Sequence, residues 1–230
     1  MNYKKYHRDS DYNKMESTFR NIFKKRFELI EKQLSFKKGG TVLEIGCSNG
    51  VFLDLFKERG FETWGIEPSK TADRAKKKGH KVLKTTFEKA KLQSDYFDVV
   101  VLNHTLEHLK NPEEILKKVG KVLKKDGIVY IDVPNVGSLL SIIMGKRWPY
   151  LLPEEHLWQF NKDSITKLVK KSGFRVIYWE SRSGIFEYKN PLLELHRKKF
   201  VIDILASPYS LLATVLNKGD SMSIIGRKKE

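Results

Sequence analysis

His104, Glu107 and His108 crowd into the stretch Asn103-His104-Thr105-Leu106-Glu107-His108. An imidazole titrates near neutral pH, so it can take a proton from a hydroxyl under physiological conditions. Histidine with carboxylate is also a competent donor set for several divalent metals. A further histidine, His156, follows two acids in Glu154-Glu155-His156-Leu157-Trp158.

A second constellation is VLEIGCSNG, residues 42–50. An apolar strand runs into a turn built from Gly46, Cys47, Ser48 and Gly50, with Glu44 inside the strand. A dinucleotide fold would place glycine at 46, 48 and 51 so that backbone can approach a pyrophosphate. Here Ser48 and Val51 break that code, which argues against a dehydrogenase. Glu67-Pro68 closes the next strand, where a carboxylate can accept hydrogen bonds from both hydroxyls of a ribose.

These residues need a scaffold. Phe19, Ile22, Phe23, Phe27, Ile30 and Leu34 recur at helical spacing over 15–34. Strands are expected at 41–45, 62–66, 80–84, 96–103 and 128–133, the last entered through an Asp126-Gly127 turn. Helices are expected near 49–59 and 70–78, and from Asn111-Pro112 onward. Such alternation predicts an α/β fold with right-handed β-α-β crossovers and a mostly parallel sheet. The run 96–103 is almost wholly apolar, as a strand covered on both faces should be. Residues 134–161 read as irregular. A helix capped by Asp163 or Ser164 ends at Gly173, and strands follow at 174–181 and 221–228. Between those strands, 184–217 carries two apolar helical segments after Pro191 and Pro208.

The lone cysteine, Cys47, excludes an internal disulfide framework and fits a reducing cytoplasm. Residues 1–14 are polar, without the apolar core of a signal peptide. The late apolar stretch 200–216 contains Asp203 and Pro208 and is too short to span a bilayer. A net charge of +16 attracts polyanions, but the lysines are dispersed along helices rather than gathered in one motif.

Glu44-x-Gly46-x-Ser48-x-Gly50 resembles the first motif of class I S-adenosylmethionine (SAM)-dependent methyltransferases, E/D-x-G-x-G-x-G, with Ser48 as a small substitute. His-x-x-Glu-His before Asn111-Pro112, Val133-Pro134-Asn135, and residues 154–165 resemble the small-molecule branch of that family, which includes quinone O-methyltransferases and sugar-modifying enzymes. The resemblance covers 36–183 and 219–228. It implies a Rossmann-like fold: a mostly parallel seven-stranded sheet with an antiparallel last strand and helices on both faces. An N-terminal arm and helix (1–35) precede a methyltransferase domain (36–230) with a helical insert at 184–217. The implied cofactor is SAM, leaving as S-adenosylhomocysteine. The residues expected to hold it are Glu44, Gly46, Cys47, Ser48, Gly50, Glu67, Pro68, Thr86, Phe87 and Asn103.

Methyl transfer to a hydroxyl needs a base. His104, His108 and His156 are the candidates, with His108 or His156 favoured. Some quinone-directed relatives hold a divalent ion with E-x-x-E-H. His104 replaces the first glutamate here, and no metal is expected. The expected acceptor is a small or lipid- or sugar-linked molecule, methylated at oxygen. The rivals are an RNA methyltransferase using the basic surface and a non-catalytic SAM-binding module. Nucleic acid is not favoured, because the N/D-P-P-Y/F motif of base methylation is absent after the fourth strand. The insert residues 191–216 offer three uses: a peripheral membrane contact, a lid, or a homodimer surface. The expected location is cytoplasmic, with membrane periphery if the first use holds.

Overall fold

The computed structural model describes residues 15–34, 39–195 and 197–229. The polar arm expected at 1–14 lies outside them. Four strands near the start run β1 (Thr41–Ile45), β2 (Glu62–Ile66), β3 (Lys81–Leu83) and β4 (Phe97–Asn103). The later ones are β5 (Leu123–Pro134), β6 (Phe174–Arg182) and β7 (Ser221–Lys228). They form one sheet in the order β3-β2-β1-β4-β5-β7-β6. The first five pair in parallel, and β7 inserts antiparallel between β5 and β6.

Both faces of the sheet are covered. On one, Leu43, Ile45, Val100, Leu102, Val129 and Ile131 pack with residues of α4 (Pro112–Val122) and α6 (Lys162–Lys171). On the other, Val42, Val99, Val101 and Tyr130 meet α2 (Val51–Glu58), α3 (Ala72–Lys77) and α1 (Glu16–Glu31). Period-two alternation sends successive β4 residues to opposite faces, so a two-sided core requires an unbroken apolar run. Phe23 of α1 stacks on Phe52 of α2 at 4.9 Å, and Phe27 meets Phe56 edge-on at 4.8 Å. The leading helix thus shares the core of the sheet.

Three expectations change. First, β5 begins at Leu123, five residues before the expected start. Phe97 pairs with Leu123 while Val99 pairs with Ile128, so Asp126-Gly127 is an excursion inside the strand rather than a turn before it. Asp126 takes φ 61°, and a Cβ on Gly127 would meet the Lys124 carbonyl oxygen at 2.9 Å. Second, the irregular region holds α5 (Leu139–Met144), whose first turn is capped by Ser138 accepting from the Ser141 N–H at 3.0 Å. Third, the cap of α6 is Asn161, which exchanges hydrogen bonds with Ser164 as a capping box.

The insert contains α7 (Lys198–Leu205) and α8 (Ser207–Val215). It docks on α1 through buried Glu194, which accepts from Thr18 Oγ1 and Asn21 Nδ2, both at 2.8 Å. Tyr209 of α8 accepts from the Leu140 N–H of α5 at 3.0 Å. Among the described residues, no helix is long and apolar enough to cross a membrane.

Candidate active site

The carboxyl ends of β1, β2, β4 and β5 converge, and the turns leaving them carry the candidate residues. After β1, the N–H groups of Gly46 and Cys47 donate to the Ile66 carbonyl at 2.8 and 3.2 Å, binding the turn to the end of β2. Gly46 takes φ 80°, and a Cβ there would sit 2.7 Å from Thr105 Oγ1. Only glycine keeps that approach open. Ser48 bends at φ 46° and donates its N–H to Glu67 Oε2 at 3.1 Å, while Glu67 Oε1 accepts from the Ser69 N–H at 2.8 Å. Ser48 and Glu67 are therefore brought together, with Pro68 between Glu67 and Ser69. Gly50, at φ 80°, enters α2 against the His80 ring.

Beneath this turn lies Glu44, 4% exposed. Burial, and then the charge of Glu67, push its carboxyl well above the usual range. Glu44 Oε2 and Asn49 Oδ1 are buried acceptors without hydrogen-bond partners. A cradle with open acceptors and a carboxylate at its rim suits a ligand rich in donors, such as an amino acid tail joined to a ribose. The residues present therefore fit SAM. The Cys47 thiol is buried against Gly65 and raised well above its ordinary pKa by burial, so this residue offers its backbone rather than its sulfur.

After β4 the chain divides its polar groups between two clusters. The first centres on Asp132 of β5, which has no exposed surface. It accepts from Arg26 at 3.0 Å, Arg182 at 2.9 Å, Ser221 at 2.8 Å and Ser223 at 2.6 Å. His104 Nε2 lies 3.2 Å from its Oδ1. Arg26 also donates to Asn103 Oδ1 at 3.0 Å, so the Asn103 amide is oriented by a helix far away in sequence. Burial alone would raise the Asp132 pKa; Arg26, His104 and Arg182 outweigh it and hold the group well below the usual carboxylate range. His104 takes φ 48°. Burial opposes its charge, but the neighbouring Asp132 and Glu107 carboxylates lift its pKa to about 9. An imidazolium has no lone pair with which to receive a proton.

The second cluster joins Glu107 and His108, in the 3-10 turn Leu106–His108, to His156. The His108 and His156 rings meet at 4.8 Å between centroids. His108 Nδ1 is 2.9 Å from the Glu155 carbonyl, and His156 Nδ1 is 2.8 Å from the Tyr150 carbonyl. A carbonyl only accepts, so each Nδ1 carries a hydrogen and each Nε2 of a neutral ring carries the lone pair. Burial lowers the His156 pKa, favouring that neutral ring. Glu107 is 1% exposed, with neither carboxylate oxygen hydrogen-bonded. Trp158 ties the two segments together by donating its N–H to the Glu107 carbonyl at 3.2 Å and its Nε1–H to the Leu109 carbonyl at 3.0 Å.

The family model described as a methyltransferase domain matches residues 18–178, well over half of the chain. The chain belongs to this family. Its domain is that of the class I SAM-dependent methyltransferases, whose cofactor is SAM. The C-methyltransferase NovU of Streptomyces niveus is 23% identical over 160 residues, covering 67% of this chain and 37% of NovU. A ubiquinone biosynthesis O-methyltransferase of Photobacterium profundum is 30% identical over 117 residues, covering 46% of this chain and 50% of its own length. The chain thus spans half or less of these two relatives. A SAM-dependent methyltransferase structure from Archaeoglobus fulgidus superposes with a TM-score of 0.64 at 26% identity, covering 91% of this chain and 94% of that one.

In this methyltransferase the remaining expected cofactor residues are placed unequally. Thr86 is half-buried and begins a turn through its carbonyl, which accepts from the Ala90 N–H at 3.1 Å. Phe87 is 2% exposed and packs in the main core with Lys118 Nζ 4.9 Å from its ring centre. Besides Asn49, within the turn itself, the residues missed by the sequence reading are Arg26, Asp132 and Arg182. Two of the latter three carried a signal: Asp132 interrupts the apolar run IVYIDV, and Arg26 falls on the apolar face of α1 between Phe23 and Phe27.

Proposed function

We propose that this methyltransferase acts on an oxygen of a small acceptor, and that the acceptor hydroxyl is activated at the Glu107–His108–His156 cluster. The supporting observation is the pair of imidazoles whose Nδ1 sides are held by the Glu155 and Tyr150 carbonyls. A ring nitrogen of each and a Glu107 carboxylate oxygen lie within 4.8 Å of one another, and His108 approaches that carboxylate with Nε2 at 4.0 Å. The cluster follows directly on Thr105, whose hydroxyl lies against Gly46 and donates to the Ile45 carbonyl at 3.0 Å. Acceptor activation and cofactor turn are thus neighbours.

When bound, SAM supplies a methyl group made electrophilic by its sulfonium. Glu67 would accept from the ribose hydroxyls, and Glu44 Oε2 and Asn49 Oδ1, buried acceptors without partners, would take donors of the cofactor. Asn103, fixed by Arg26, would meet the methionine part. His104 acts here as a fixed cation between Asp132 and Glu107 rather than as the base. Alignment supplies most of the rate in such a displacement, so rigid placement of these groups matters more than their number.

The likeness to a ubiquinone biosynthesis O-methyltransferase supports an oxygen acceptor. The exposed aliphatic residues of α5, α7 and α8 support a lipid-linked one. Ile143 and Leu205 are 75% and 76% exposed, and Lys146, Arg147 and Lys218 stand exposed nearby in sequence. An apolar surface with basic neighbours suits the interface of an anionic membrane. The test is transfer of labelled methyl from SAM to a panel of phenols, sugar hydroxyls and amines. Label on a hydroxyl is expected. Label confined to amines or carbon overturns the oxygen reading.

A further inference from the structure

We infer that Glu107, His108 and His156 form a binding site for one divalent transition-metal ion. The three donor atoms all lie within 4.8 Å of one another. A tetrahedral ion with bonds of about 2.0–2.1 Å spaces its ligands about 3.3 Å apart, so the atoms need to close by no more than about 1.5 Å.

The surroundings of each donor match what a metal requires. A ligating histidine donates its second ring N–H to a fixed acceptor, which sets the tautomer and aims the other nitrogen. Both rings do so, His108 to the Glu155 carbonyl and His156 to the Tyr150 carbonyl. Glu107 provides an independent observation. A carboxylate that is 1% exposed normally collects hydrogen bonds on both oxygens, because leaving them unmade costs the full desolvation of the group. Glu107 has none on either oxygen. Its nearest charged neighbour, His104, lies 3.5 Å from Oε1 and is turned toward Asp132 by its other nitrogen. A cation bound to the carboxylate would supply the missing partner.

The donor set differs from the five-residue element E-x-x-E-H considered above. The first position of that element, His104, is engaged by Asp132 and stands behind Glu107. The third donor comes from a segment 48 positions after His108, brought in by the Trp158 hydrogen bonds. Two imidazoles and one carboxylate suit zinc, iron, cobalt or nickel better than magnesium or calcium, which prefer all-oxygen shells. Three protein ligands leave a position open. A hydroxyl occupying it would ionise more readily, its proton passing to solvent. That use rests on the acceptor reading proposed above. Binding of the ion does not.

The experiment uses the full chain without an affinity tag, stripped with a chelator and dialysed. Cobalt(II) is titrated and followed by visible absorption, and zinc(II) is titrated by calorimetry. One equivalent is expected, with a ligand-field band for cobalt. His156→Gln and His108→Gln are each expected to weaken binding by more than about tenfold, whereas His104→Gln, removing a residue behind the carboxylate, is expected to weaken it less. S-adenosylhomocysteine binding, measured on the same samples, reports that each variant is folded and that the cofactor turn works. Wild-type protein that binds cobalt no better than the folded His108→Gln/His156→Gln double variant overturns the site. Metal binding with no methyl transfer to any hydroxyl leaves the site standing and removes the acceptor reading.

Discussion

His104 Nε2 and Asp132 Oδ1 lie 3.2 Å apart across neighbouring strand ends, and that contact divides the site into two compartments. On one side, Asp132 gathers Arg26, Arg182 and two serines into a closed network. On the other, His104 faces Glu107, which neighbours the His108–His156 ring pair. Structural and chemical duties are thus separated by one imidazole.

The closed network predicts a large cost for its centre. In Asp132→Asn, Arg26 and Arg182 would each lose the fully buried counter-ion they share, keeping only Glu187 and, for Arg182, Glu180 at the edge of the network. Breaking a buried ion pair from one side costs about 3–5 kcal/mol. An unfolding free energy lower by up to that amount is expected from urea titration, and an Asp132→Asn protein as stable as wild type would show that Glu187 and Glu180 suffice for the two arginines.

Glu44 predicts a pH effect of the opposite kind. Its folded-state pKa is raised, first by burial and then by Glu67. The unfolded chain releases this proton near pH ~4.5, while the folded protein keeps it to higher pH. Folded protein then binds more protons than unfolded, so stability falls as pH rises above the unfolded value. Glu44→Gln removes that loss. Its unfolding midpoint, relative to wild type in the absence of cofactor, should be higher at pH 7.5 than at pH 4.5. Equal differences at the two pH values would mean that Glu44 is ionised in the fold.

Much of this scaffold was legible before any coordinates. The strands 41–45, 62–66 and 221–228 match the structure residue for residue, because each is an apolar run bounded by glycine or by a polar turn. Helix α5 was hidden because it is short and followed by Gly145, Pro149 and bulky rings, which read as loop. The Asp126-Gly127 pair reads as a turn wherever local geometry decides; here pairing with β4 on both sides kept the strand continuous. The Arg26–Asp132–Arg182 network joins residues 106 and 50 positions apart, and no local pattern encodes such meetings. His108 and His156 were each visible as candidates. Their convergence was not, because it depends on the path of 134–161.

The cofactor turn predicts two distinguishable losses. Glu67→Ala removes the ribose acceptor and also the acceptor of the Ser48 and Ser69 N–H groups. Hydrogen bonds to a charged group contribute about 1.5–3 kcal/mol, so S-adenosylhomocysteine affinity should fall by roughly 10- to 150-fold, with a smaller loss of stability from the half-buried turn. Gly46→Ala instead places a methyl 2.7 Å from Thr105 Oγ1 at a positive φ. It should lose affinity and stability together. Calorimetry and thermal melts on both variants check the contrast. A Glu67→Ala protein that loses stability but keeps its S-adenosylhomocysteine affinity would confine Glu67 to holding the Ser48 and Ser69 N–H groups.

The exposed aliphatic face yields the last prediction. Transfer of apolar surface out of water contributes about 25 cal/mol per Å², and basic side chains add attraction to anionic headgroups. Ile143 and Leu205 lie on α5 and α7, segments linked through α8 by the Tyr209 hydrogen bond to Leu140, so they can act on one surface. Wild-type protein should sediment with phosphatidylglycerol vesicles at low salt and be released as salt rises, because screening shortens the reach of its lysines. Ile143→Asp/Leu205→Asp should stay in the supernatant yet bind S-adenosylhomocysteine as wild type does, since neither residue touches the cofactor turn. Equal sedimentation of the two proteins would place the membrane contact elsewhere. A wild-type dimer in light scattering that the double variant abolishes, with no vesicle binding by either, would assign the face to a second copy of the chain.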